Sequence, residues 1–459
     1  YSAVCVLASG AHSPVEKVSA VKKSVVIVLV LLAAIVLVSP ALVGRLAERS
    51  MDESLKWAAT ESGAVRVTSE HYDRGWFSSE GQHRIELREG DLLSAVQMFA
   101  GPMDADDLPV LIINTRLDHG LIPVSSMSRE EGSLAPGLGS AVSTLQLELA
   151  GGELIELPGT IFSKVSLGGE LQSRYALEAG SRSADGVEAG WGDTDVNFTT
   201  SPQTGKVAFD GKVAELFMKS NGDAITLNGL EFEGTQQPTQ YGISVGRVDM
   251  SLGSLAVDTM MGPPVNQLEA LSVNARSDLD GDRVDADADI SMRFAGLPEF
   301  EDVLVDIAFR LNDADARALG NIQRASQDAA TAADPMALYA ALENDLKRLF
   351  AAGFDFSFDQ FDVTIPQGKI VSKMNFAFAA SDPATFDWTS LLLGTDATVE
   401  FSVPAVLVET YGQGNQQIAA AIGGGFLMKK GDAYELKALL KKGLLTVNGA
   451  PIPIPLGVN

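Results

Sequence analysis

From Gly63 to about Leu311 the apolar residues of this chain recur at every second position, which limits the segment to strands with one apolar and one polar face. "HRIELR" alternates Ile85 and Leu87 with charged neighbours, and "TLQLELAG" does the same with Leu145, Leu147 and Leu149. Similar runs recur in "KVAFDGKVAEL", "DAITLNGLEFEG", "YGISVGRVDMSLGSLAVD" and "DRVDADADISMRF". Turn clusters such as "SPQTGK", "SNGD" and "LDGD" separate them at intervals of about ten residues, the pattern of an antiparallel meander. The 44 glycines and the 7% aromatic content of the 459-residue chain agree with short strands and many turns.

The alternation breaks at Asp313–Ala352, where alanine-rich helical spacing predicts two helices, Asp334-Pro335 giving the second its cap and first-turn proline. Strands resume in "DFSFDQFDVTIP", "KIVSKMNFAFAA" and "ATVEFSV". A further helix is expected over Ala405–Ile422, ended by Gly423-Gly424-Gly425. "YELKALLKKGLLTVNG" reads as a closing hairpin.

The other strong feature lies near the start. Ser24–Gly44, "SVVIVLVLLAAIVLVSPALVG", carries no charge and follows Lys22-Lys23. Its 21 residues would extend about 31 Å as a helix, enough to cross a bilayer. The alternative is a cleaved signal peptide ending near Ser39-Pro40-Ala41. Basic residues flank the span on both sides, so the orientation with the N-terminus inside rests partly on its N-terminal position. "RLAERSMDESLKWAATES" continues as a juxtamembrane helix.

The expected fold class is mainly β: a transmembrane helix followed by a large antiparallel β-meander body with helical insertions. The expected division is a non-native or disordered extension at 1–20, an anchor at 21–44, a helix at 45–63, and a β body at 64–312. A helical insertion at 313–352 and completing strands and helix at 353–459 follow. Two sub-domains meeting near residue 312 are the alternative. With either reading of the span, the bulk of the chain is expected to be exported.

Charge narrows the partners. The net charge is 34 − 60 = −26; removing residues 1–45, with four bases and one acid, leaves 30 − 59 = −29. Such a surface repels phosphate backbones and argues against nucleic-acid binding. Cys5 is the single cysteine, so disulfides and thiolate metal sites are not expected.

Few motifs carry chemistry. No G-x-S-x-G elbow, H-E-x-x-H, P-loop or G-x-G-x-x-G is present, and beyond the span only His71, His83 and His119 could act as bases. His71 and His83 are expected to face each other across the first hairpin as an exposed pair. In "SDLDGDRVDADAD", Asp278, Asp280, Asp282 and Asp289 fall on positions 1, 3, 5 and 12 of a calcium-loop count, but Arg283 stands where the sharp turn needs glycine. The run is expected to be a turn at Asp280-Gly281-Asp282 followed by a strand exposing Asp285, Asp287 and Asp289. No catalytic, cofactor or metal residue is assigned.

"EHYDRGWFSSEG" lies between two alternating runs, so Asp73-Arg74-Gly75 is expected to turn the first hairpin. Within it Tyr72, Arg74, Gly75, Phe77 and Ser78 match the Tyr-x-Arg-Gly-x-Phe-Ser signature, and the chain resembles the bacterial YdgA/YihF family. Asp118, His119, Gly120 and Pro123 resemble that family's Asp-His-Gly-Pro-x-Pro segment, Leu121 departing from its proline. Asp382-Pro383 and Asn448-Gly449 match later landmarks. The resemblance implies an inner-membrane anchor, a large periplasmic domain and no assigned reaction; the matched residues are expected to be structural.

A non-catalytic protein is therefore expected, its sharpest version being lipid or other hydrophobic-ligand binding or transfer along an apolar sheet face. A protein-interaction scaffold that self-associates as a homo-oligomer is the alternative, and an envelope hydrolase comes third.

Overall fold

A computed structural model describes residues 65–74, 78–87, 110–119, 139–148, 152 and 154–453, apart from 167, 185–186, 202, 221–222, 259–266, 297–299, 330–334, 385 and 413. The first strands are β1 (Val65–Arg74), β2 (Ser78–Leu87), β3 (Val110–His119), β4 (Gly139–Glu148), β5 (Leu154–Val165) and β6 (Leu171–Leu177). They are followed by β7 (Gly180–Ala184), β8 (Val187–Trp191), β9 (Thr194–Thr200), β10 (Val207–Ser220), β11 (Asp223–Pro238) and β12 (Ser244–Asp258). Next come β13 (Gln267–Asp280), β14 (Arg283–Ala295), β15 (Asp302–Asp315), helices α1 (Ala316–Ala329) and α2 (Pro335–Ala352), β16 (Phe354–Ile365) and β17 (Gly368–Phe378). Helix α3 (Trp388–Gly394), β18 (Thr395–Pro404), α4 (Ala405–Tyr411), α5 (Gln416–Gly423), β19 (Met428–Lys430), β20 (Ala433–Lys441), β21 (Leu444–Val447) and β22 (Ala450–Ile452) complete the chain.

All the strands belong to one antiparallel sheet. Each strand pairs with its sequence neighbour except at two places. The β7–β8 hairpin is set aside so that β6 pairs with β9, and β10 carries β9 along its first half and β8 along its second. Near the end, β18 pairs with β20, whose other side carries β19 and β21. β15 pairs with β14 on one side and β16 on the other, so the sheet runs unbroken past residue 312.

The alternation produces two unlike faces. On β4 the side chains of Ala141, Ser143, Leu145 and Leu147 are buried, while those between them are not. Leu147 and Val196 are 0% exposed, each contributing about 1.5–3 kcal/mol by burial. They belong to the region between β2 and β12, where Ile85, Leu111, Ile113, Leu145, Tyr175, Val196, Phe198 and Phe232 form one apolar cluster. Tyr175 donates its hydroxyl to the Pro158 carbonyl at 2.7 Å, and burial pushes its pKa up to about 12.

Where apolar residues fall three apart instead of two, a bulge absorbs the extra residue and keeps both on the same face. Leu268 and Leu271 stand opposite Phe294 and Met292, and Phe358 and Phe361 stand opposite Phe309 and Ile307. Leu311 and Ala314 stand opposite Ala286 and Val284, with Asp313 at φ 61° in the extra space.

The helices close the sheet at its strand ends. Asp315 caps α1 by accepting the Ala318 N–H at 2.8 Å, and Ala318 and Leu349 pack on Ala314. Leu407 of α4 packs with Val303, Ile365 and Val403 at the other end of the strands. The single helix expected over Ala405–Ile422 is two, because α4 ends at its C-cap Gly412 and Asn415 caps α5 with its side-chain oxygen. The Ser24–Gly44 span, the juxtamembrane helix and residues 1–20 lie outside the described residues. Among the described residues no helix is long and apolar enough to cross a membrane.

Candidate functional site

The cross-strand register defines the site. Beginning at Ser79, residues directly opposite one another form a row: Ser79, Leu117, Ala141, Ser163, Ser173, Phe198, Phe209 and Gly234. It continues through Val248, Ala275, Ala288, Phe309, Phe358, Met374, Val399, Ala438 and Val447. The row crosses seventeen strands without a charged side chain. A second row beside it runs from Gly81 through Tyr175, Val196, Phe232 and Met250 to Ile290, Ile307 and Phe361, also uncharged.

The two halves of this stripe differ in cover. From β2 to β9 its residues are almost all buried, with the hydroxyls of Thr115 and Ser143 at 2.8 Å and of Ser163 and Ser173 at 2.9 Å satisfying one another. From β12 to β20 the same stripe is only part-covered, and Phe361 is 40% exposed. Eight strands at about 4.8 Å give this open part a length of roughly 34 Å. Its floor holds Phe309, Phe356, Phe358, Phe361 and Phe376, with successive ring centroids 5.3–6.4 Å apart. α1 and α2 wall one end of its strands, where Phe350 sits 5.0 Å from Phe378, and α4 walls the other. The result is an apolar stripe bounded by helices at both strand ends, here called the trough, that continues into a buried core.

The opposite face is the wetter, charged one, with Ile112, Asp118, Ser357 and Asp362 buried on it. Arg293 pairs with Asp302 at 2.7 Å, Arg310 with Asp359 at 3.0 Å and Lys369 with the buried Asp362 at 2.8 Å. The hydrogen bond from Arg293, with its charge, holds the exposed Asp302 carboxyl below the usual range, and the bond to Asp362 raises Lys369.

The landmarks singled out from the sequence fall into three groups. Tyr72 and Arg74 lie in β1, Ser78 opens β2, and Ser78 stands opposite Asp118 in β3, so the first two landmark segments meet side by side. Asp118 is 1% exposed beside Arg116, its Nε 3.8 Å away, and His119 ends β3 opposite Gly139, where a Cβ would meet the Asp118 carbonyl at 2.9 Å. Gly75, Phe77, Gly120 and Pro123 lie outside the described residues. Asp382 accepts the Ala384 N–H at 2.9 Å in an exposed turn with Pro383. Asn448, at φ 50°, accepts the Lys437 N–H and donates to the carbonyls of Gly425 and Phe426 at 2.9 and 3.0 Å; Gly449 follows at φ 84°.

Two expectations are corrected. The first hairpin does not turn at Asp73-Arg74-Gly75: pairing continues to Arg74 opposite Ser79, leaving residues 75–77 as the connection. His71 and His83 do not face each other. A bulge at Glu70 shifts the phase, placing His71 on the wet face 3.0 Å from Asp73 and His83 on the apolar face at 1% exposure.

The acidic run is the expected hairpin: Asp280 pairs with Arg283, Gly281 turns at φ 64°, and Asp285, Asp287 and Asp289 are exposed. Arg283 has a role the sequence did not suggest. Its guanidinium donates to the carbonyls of Asp313, Ala352 and Gly353 at 2.9–3.2 Å and ties the end of α2 to the hairpin. The trough residues were also missed, although the three-residue spacing of Phe358 and Phe361 was a readable signal.

Sheet and trough together define a mainly β protein organised as one continuous antiparallel sheet with an uncharged stripe along one face. The chain belongs to DUF945, a family of bacterial proteins of unknown function, whose family model matches residues 21–455. No curated protein and no solved structure matches it.

Proposed function

We propose that this protein is a non-catalytic, membrane-anchored protein of the bacterial envelope that holds the acyl part of lipids in its trough. The observation that carries this reading is the uncharged stripe, buried over β2–β9 and part-open over β12–β20. An apolar surface left open to water without a partner is costly, and acyl chains bind it through area without needing hydrogen bonds. The open length of roughly 34 Å is about twice the hydrocarbon depth of one bilayer leaflet. It therefore suits a path for chains better than a pocket for one. The span at Ser24–Gly44 would fix the protein in the inner membrane with the sheet in the periplasm, as the resemblance to the YdgA/YihF family also implies.

A self-associating scaffold is the second reading. It is favoured by β1 and β22, each of which has a strand partner on one side only among the described residues. Native mass spectrometry of the detergent-extracted protein, with lipid analysis of what is released, separates the two. Stoichiometric co-purifying phospholipid supports the trough; a lipid-free protein sinks it, and a lipid-free oligomer favours the scaffold.

A further inference from the structure

Beyond α4, the tip of the molecule is unlike the rest of its surface. Gly412–Met428 is a run of seventeen residues without a charged side chain, in a chain where 20% of residues are charged and the net charge is −26. Helix α5 within it buries no residue at all. Tyr411, Ile422, Phe426 and Met428 are exposed, the last two at 42% and 43%. We propose that this tip docks on a lipid bilayer, entering its interfacial region.

Three further observations carry the choice of a bilayer over a protein partner. The turn that follows α5 is hydrogen-bonded within itself: Gly424 N–H donates to Ala420, Gly425 N–H to Ile422, and Phe426 and Leu427 N–H to Ala421. Asn415 and Asn448 cap its two ends by hydrogen bonds, so the exposed turn is built and held in place. A turn bonded in this way presents few free N–H groups to an apolar layer. Charge also selects the tip. Lys429 and Lys430 border it, paired with Glu409 at 2.6 Å and Glu435 at 3.0 Å; with Asp432 beside them the border carries one net negative charge where the chain as a whole carries −26. An anionic bilayer repels the acidic faces and can approach here, with lysines placed at headgroup level. Ile422, Phe426 and Met428 offer a partner protein no donor, acceptor or charge, and Gln416 and Gln417 in the first turn of α5 supply only uncharged amides.

The surface stands whether or not the trough carries lipid, although α4 is both the trough's end wall and the tip's root. The test uses the full chain reconstituted in phosphatidylcholine–phosphatidylglycerol vesicles, with an environment-sensitive dye on Met428→Cys in a Cys5→Ser background. A second preparation carries the dye on Asp287→Cys of the acidic face. Quencher-bearing lipids, placed in the host vesicles or in added vesicles, should quench the Met428 label severalfold and leave the Asp287 label unaffected. Phe426→Ser should abolish that quenching while the circular-dichroism melting curve stays unchanged. Quenching of the Met428 label by aqueous iodide as efficiently as free dye would overturn the proposal. So would iodide protection that grows with protein concentration without lipid quenching, since a second copy would then cover the tip.

Discussion

Asp315 shows how single residues hold this sheet to its helices. It is buried at the junction of β15 and α1, with the Arg348 guanidinium Nε at 3.0 Å and the Ala318 N–H at 2.8 Å. Burial alone would raise its pKa; the hydrogen bonds from Arg348 and Ala318 and the guanidinium charges outweigh that, and the carboxyl lies below its ordinary value. Because the folded value is depressed, the stabilisation is present above the unfolded value near 3.8 and is lost as pH falls through the folded one. Arg348→Met should cost about 1–3 kcal/mol at neutral pH. Urea unfolding at pH 7 and pH 3 checks this: the gap between variant and parent should shrink at the lower pH.

At the scale of elements, the apolar stripe depends on pairing large with small. Gly211 lies opposite Phe232, and a Cβ there would meet the ring at 2.4 Å. Gly234 lies opposite Phe209 in the same way, and the two rings meet at 6.2 Å across the glycines. Neither glycine needs a positive φ; each is required by the close approach of an aromatic ring. Gly211→Val should therefore destabilise by about 1–3 kcal/mol despite its higher strand propensity, read as a lowered urea midpoint with an unchanged m-value. Arg283 works between elements, since three carbonyls from β15 and the α2–β16 junction converge on it.

For the whole molecule, the decisive property is the partial cover of one face. Phe361 is exposed enough that its replacement should leave folding nearly intact, yet it lies in the open stripe. Phe361→Asp should reduce co-purifying lipid severalfold with a melting temperature within a few degrees of the parent, measured by lipid analysis and calorimetry on one preparation. Retention at the parental level would remove Phe361 from the lipid path.

Strand identity, the meander and both helices before β16 were legible because alternation and alanine-rich helical spacing are local properties of the chain. The hairpin at Gly281 was legible for the same reason. The bulge at Glu70 that parts His71 from His83 was not, since a one-residue slip is set by pairing with a neighbour and reverses every side chain beyond it. The break between α4 and α5 was hidden because Gly412 and Asn415 act only as caps at the helix ends. By itself the sequence determined a long antiparallel sheet with one apolar face. Only the tertiary structure decided that this face is buried over β2–β9 and part-open over β12–β20, because cover depends on what lies above a strand and the strand's own residues do not encode it.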